Sequence, residues 1–188
     1  MIQCKRVYDP QESSDGYRVL VDRLWPRGIK KEALACDEWC KELTPSAELR
    51  KAFHGEAIDF AHFSQRYRQE LDAHRETGLR LAALAQRQPL TLLYAAKNTE
   101  QNHARVLAAW LALSAAREAG CQAALLTDGS PTCGSQFVYD GSFRGRRKAG
   151  AGVAADLLRA HGITVFSDGQ IPQLLAWMAQ KEQDDDSV

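Results

Sequence analysis

The sequence predicts an α/β protein whose mostly parallel, Rossmann-like sheet is flanked by helices. Short apolar runs read as buried strands, and between them lie longer stretches with apolar residues at helical spacing. Glycine or proline marks many of the changeovers. The chain has 188 residues, 45% of them hydrophobic and 26% charged, ordinary values for a globular protein with a core.

Ile2–Tyr8 alternates in character and ends at the turn signal Asp9-Pro10, so it reads as a first strand. Arg18–Leu24, rich in branched residues, is a second and stops before Pro26 and Gly28. From Ser46 to Arg87 the pattern is helical, starting at Pro45-Ser46 with Glu48 behind it, with breaks expected at Gly55 and Gly78. Phe60, Phe63, Tyr67 and Leu71 make one apolar helix face. Leu90–Ala96 is a buried strand that leads through Lys97-Asn98-Thr99 into a helix over Glu100–Ala119, stopped by Gly120. With the next strand at Ala123–Thr127, this segment predicts a strand–helix–strand unit with parallel pairing and a right-handed crossover. A loop rich in glycine and serine, Asp128–Gly152, follows. A helix at Val153–His161, a strand at Ile163–Phe166 and a helix at Ile171–Lys181 complete the order. The acidic tail 182–188 is expected to be disordered.

Lys+Arg and Asp+Glu both number 24, a balance that argues against nucleic-acid binding and against attraction to acidic membranes. The basic cluster Arg144-Gly-Arg-Arg-Lys148 reads as solvated surface, with phosphate contact as its functional alternative. Residues 2–6 interrupt any apolar signal segment, and no run approaches the roughly 18 apolar residues of a membrane helix. A cytoplasmic protein with its five cysteines reduced is therefore expected.

The run Asp22-Arg-Leu-Trp-Pro-Arg-Gly28, together with Asp15-Gly-Tyr-Arg18, Leu43-Thr-Pro-Ser46, Leu92–Lys97 and Asn102-His-Ala104, resembles the YeaO family of small bacterial proteins. The resemblance covers residues 1–113 and implies a compact α/β domain without bringing an established reaction. Beyond it, Ala124–Ser135, Tyr139–Phe143, Gly152–Ala155 and Gly162–Ser167 are similar to the C-terminal half of the thiouracil desulfidase family. That resemblance implies an iron–sulfur cluster held by three cysteines, of which one position is matched here, by Cys133 in Ser130-Pro-Thr-Cys-Gly-Ser135. The motifs that carry the family's other two cysteines do not occur. The expected division is 1–113 and 114–188, with the join inside the long helix near Trp110–Ala116.

Cys133 is the reactive candidate, with Ser130 beside it and Gly134 and Ser135 allowing close approach of a ligand. Backbone N–H groups of Thr132–Ser135 could form an anion-binding concavity that favours the thiolate. The competing reading is an inherited loop cysteine without a role. Cys36 and Cys40 would share a face if helical; Cys4 and Cys121 stand apart, and no spacing is a metal signature. Core or surface roles are expected for these four.

Arg23 and Arg27 flank Trp25-Pro26 at the end of a strand, where α/β proteins bind ligands. Planar guanidinium groups suit phosphate or carboxylate and Trp25 offers a stacking face; internal pairing of the arginines with Asp22 or another acid carries equal weight. His103, with Asn102 before it, opens a helix after a strand and could act as a base, although no acid stands at a telling spacing. A hydrogen-bonded structural histidine is the competing reading.

Three functions follow: binding of a small anionic or nucleotide-like ligand, residual sulfur handling at Cys133, or a non-catalytic interaction role. The C-terminal half is expected either to extend the first segment's sheet or to pair with a second copy of the chain. Trp110, Leu111, Leu113, Leu174, Leu175 and Trp177 are expected to supply part of that cover.

Overall fold

The computed structural model describes residues 1–126 and 153–187, together with the backbone of 137–139 and 147–149. The chain forms two compact units, Met1–Glu118 and Ala119–Val188.

In the first unit, β1 (Ile2–Arg6), β2 (Tyr17–Leu20), β3 (Glu38–Trp39) and β4 (Leu90–Tyr94) make a parallel sheet in the order β1-β4-β2-β3. β4 lies inside, with Leu92 opposite Cys4 on one side and Val19 on the other. It is buried along its whole length, which is why it reads as a continuous apolar run rather than an alternating one. Its two faces serve two cores. Leu90, Leu92 and Tyr94 join Val19 and Val21 against the helices α1 (Ala47–His54), α2 (Phe60–Asp72), α3 (Arg75–Arg87) and α4 (His103–Glu118). Leu93 joins Val7, Leu20 and Leu34, against which Trp25, Ile29 and Cys36 of the irregular segment 21–37 pack.

The Asp15-Gly-Tyr-Arg motif ties this second face together. Asp15 is 1% exposed and takes Lys5 at 2.8 Å and Arg18 as ion-pair partners, while its carbonyl accepts from the Thr91 hydroxyl at 2.6 Å. Arg18 in turn donates to the Ala35 carbonyl, and its backbone N–H to Asp37. Gly16 has φ 62°, and a Cβ there would lie 2.2 Å from the Pro89 carbonyl oxygen. Only glycine combines that dihedral with so close an approach.

Among the helices, the expected Phe60–Leu71 face is present: Phe63, Tyr67 and Leu71 are buried and Phe60 packs against them. Ser46 caps α1 by accepting from Leu49 N–H at 3.2 Å, and Gly55 ends it. Gly78 does not break the helical run; it lies inside α3. A Cβ at Gly78 would fall 2.2 Å from the Trp110 ring, so the glycine lets α3 and α4 approach. The break comes instead at Ala73-His74, between α2 and α3.

In the second unit, β5 (Ala123–Leu126) and β8 (Thr164–Ser167) pair in parallel with α5 (Val153–Ala160) between them in sequence. α5 buries Ala154, Ala155, Leu157 and Leu158, and α6 (Ile171–Asp186) places Trp177 edge-on to Phe166 at 6.1 Å. β6 (Phe137–Tyr139) and β7 (Arg147–Ala149) form an antiparallel pair.

The structure corrects three expectations. β4 and β5 do not pair, because β1 and β2 occupy both edges of β4 and β5 takes β8. Trp110 and Leu111, expected as part of a cover for the second unit, belong to the first unit's own core beside Leu81, Leu107 and Leu90. α6 runs on to Asp186, through residues expected to be disordered, and Gln180 bonds Asp184 one turn later at 3.1 Å. No helix among the described residues is long and apolar enough to cross a membrane.

Candidate functional site

The carboxyl ends of β1, β4 and β2 converge on one set of contacts. Parallel strands place their last residues side by side, and the segments that follow them form the edge where α/β folds bind ligands. Just past β2, the Asp22 carboxylate accepts from the Ala95 N–H at 2.9 Å, at the end of β4. Its other oxygen lies 2.9 Å from His103 Nε2, at the start of α4. The same nitrogen lies 2.9 Å from the Val21 carbonyl. Two acceptors at Nε2 place a proton on that nitrogen. The Tyr94 ring stands edge-on to the imidazole at 6.5 Å. His103 thus has the acid partner that sequence spacing does not supply.

Asn102 is 1% exposed and both ends of its amide are engaged, Oδ1 accepting from Arg105 N–H at 3.1 Å and Nδ2 donating to the Asn98 carbonyl at 2.9 Å. It caps the helix that carries His103.

On the β1 side, the Arg6 guanidinium donates to the Ala96 and Ala95 carbonyls at 3.1 and 3.4 Å and lies 4.9 Å over the Tyr8 ring. Tyr8 donates its hydroxyl to the Arg27 carbonyl at 3.0 Å. Arg27 and Lys97 are exposed, and neither side chain has an ion-pair or hydrogen-bond partner among the described residues. Arg6 and Tyr8, which tie the end of β4 to the Arg27 backbone, are not revealed by sequence patterns, because both lie inside a strand pattern and give no separate signal.

On the β3 side, Trp25 is half-buried, donates to the Ile29 carbonyl at 2.7 Å and meets Trp39 edge-on at 5.3 Å. Trp39 donates to the Asp22 carbonyl at 2.7 Å, which fixes the edge from the other flank. Arg23 donates to the Pro45 carbonyl at 3.2 Å and lines a cavity. Neither Arg23 nor Arg27 pairs with Asp22.

Residues 1–134 match the family described as the inactive DUF488-N3 subclade. The chain belongs to this family. YeaO of Escherichia coli K12 is 71% identical over 110 residues, which cover 58% of this chain and 96% of YeaO. Rv3073c of Mycobacterium tuberculosis is 40% identical over 108 residues, covering 57% of this chain and 90% of that protein. Among solved structures, a 4Fe-4S-dependent thiouracil desulfidase is 42% identical over 42% of this chain, with a TM-score of 0.40. The chain spans 52% of that desulfidase.

The candidates Cys133, Ser130, Gly134 and Ser135 lie outside the described residues, as do the side chains of Arg144–Lys148. The cysteines that are described do not fit a cluster. No group of His, Cys, Asp and Glu among the described residues could hold a metal ion. Cys4 directs its thiol at the Ala104 carbonyl, 3.4 Å away, and Cys121 is exposed. Burial pushes the Cys40 thiol up to about 11 and raises that of Cys36, the reverse of the thiolate that ligation needs.

Proposed function

We propose that the first unit is a binding domain for a small anionic, nucleotide-like molecule, held over the carboxyl ends of β1, β4 and β2. The observation that carries this reading is the pairing pattern at that edge. Asp22 is engaged by Ala95 and His103 inside the fold, while Arg27 and Lys97 stand exposed without acid partners among the described residues. Unpaired cations at a strand-end edge draw anions, and a guanidinium suits a phosphate or carboxylate bidentately. The family's description as an inactive subclade accords with binding rather than turnover.

The experiment is a thermal-unfolding screen of the full chain against nucleotides and inorganic phosphates. A ligand present at about 100 times its dissociation constant should stabilise the folded state by about 2.7 kcal/mol. The Arg27→Ala variant should lose that rise. A rise that survives in Arg27→Ala and in Lys97→Ala alike would count against the reading.

Sulfur handling at Cys133 is the second reading. Its support is the sequence of residues 130–135.

A further inference from the structure

A separate cavity in the first unit differs in charge from the strand-end edge. It has a volume of about 390 Å³ and is lined in part by Arg23, Lys41, Glu42, Glu70, Leu71 and His74. Pockets for small metabolites run from roughly 300 to 1,000 Å³. The lining carries two cations, Arg23 and Lys41, and two carboxylates, Glu42 and Glu70, so these four charges balance.

No ion pair among the described residues links Arg23 or Lys41 to Glu42 or Glu70. Glu70 accepts from the Ser46 backbone N–H at 2.7 Å and its hydroxyl at 2.8 Å, one bond on each oxygen. Glu42 accepts one bond from the Thr77 hydroxyl at 2.7 Å. A carboxylate has about four lone-pair positions, so both acids keep capacity for a further donor. Arg23 donates one bond, to Pro45, and Lys41 lies 4.0 Å over the Trp39 ring.

The geometry points to a binding site for a zwitterion of the α-amino acid type in this cavity, its carboxylate on Arg23 and Lys41 and its ammonium on Glu42 and Glu70. A purely anionic ligand would face both carboxylates, and a purely cationic one both Arg23 and Lys41. A dipolar ligand satisfies all of them and can set its side chain against Leu71.

The test is calorimetric titration of the full chain with free α-amino acids, each beside its N-acetyl and its amide derivative. At least one free amino acid should bind, and both blocked forms should bind about tenfold more weakly or less, the loss expected for one charge-assisted hydrogen bond. Glu42→Gln keeps an acceptor for the Thr77 hydroxyl and should weaken binding about tenfold, as should Arg23→Gln. Arg27→Ala should leave it unchanged, which separates this site from the strand-end edge. Absence of binding by every free amino acid would overturn the inference. So would blocked forms that bind as well as the free ones, or Glu42→Gln protein that binds like the parent.

Discussion

Replacing Gly78 by alanine tests the packing of α3 on α4. In an unencumbered helix the change would stabilise by about 1 kcal/mol. Here the new Cβ would sit 2.2 Å from Trp110 Cζ3 and 2.3 Å from Cη2. Trp110 has little room to yield, being 4% exposed, and its Nε1 donates to the Asp72 carboxylate at 3.1 Å. Overpacking costs about 1–3 kcal/mol. Moving the ring off Asp72 adds about 1.5–3 kcal/mol for a hydrogen bond to a charged group. Less the propensity gain, Gly78→Ala should destabilise the first unit by about 2–4 kcal/mol. Urea unfolding followed by tryptophan fluorescence and far-UV dichroism reads this as a midpoint lowered by about 1–2 M. In a Trp110→Leu background the added methyl should cost about 1 kcal/mol less or better, because the ring it strikes is gone. A Gly78→Ala protein as stable as the parent, or more so, would refute the packing argument.

Two further predictions concern charge and metal. Burial alone would push the Asp15 carboxyl up, but hydrogen bonds from Lys5, the Glu12 backbone and Arg18 outweigh it and hold the group below the ordinary carboxylate value. A depressed folded pKa gives stability that is present above the unfolded value, about 4, and is lost as pH falls through the folded one. Acid titration of unfolding should therefore show a loss below about pH 4 that Asp15→Asn flattens, with a cost of about 3–5 kcal/mol at neutral pH; an Asp15→Asn protein with the parent's acid limb would contradict this. Protein purified without oxygen should carry far less than one cluster's iron and acid-labile sulfide per chain, since the described cysteines supply no ligand set. Stoichiometric iron that disappears in Cys133→Ser would instead favour sulfur chemistry.

Much of the first unit's fold is legible in local sequence. The Leu90–Tyr94 strand announces itself because a strand buried on both faces must be apolar throughout. The Phe63, Tyr67 and Leu71 face does so because helical spacing is local. Gly78 misleads for the opposite reason: its purpose is Trp110, on another helix. The two-residue β3 is too short to leave a pattern, and it forms through Cys40 N–H to the Leu20 carbonyl and the register with β2.

Strand neighbours are harder to read. A strand–helix–strand order restricts handedness but not adjacency, and β4 takes β1 and β2 rather than β5. The same limit hides the site's central contact. Asp22 and His103 are brought together by the β4–β2 pairing and by the helix that follows β4, and no spacing rule spans that distance. The arginines of the Trp-Pro segment are visible as candidates, yet only the fold separates Arg23, on the cavity, from Arg27, exposed beside Tyr8.

The most direct measurement of the central claim is a titration of ¹⁵N-labelled full chain with the nucleotide or phosphate compound that stabilises it most, followed by amide chemical shifts. The account predicts saturable shifts concentrated at residues 6–8, 22–28 and 95–103. Shifts confined to other parts of the chain, or none with any such compound, would contradict it.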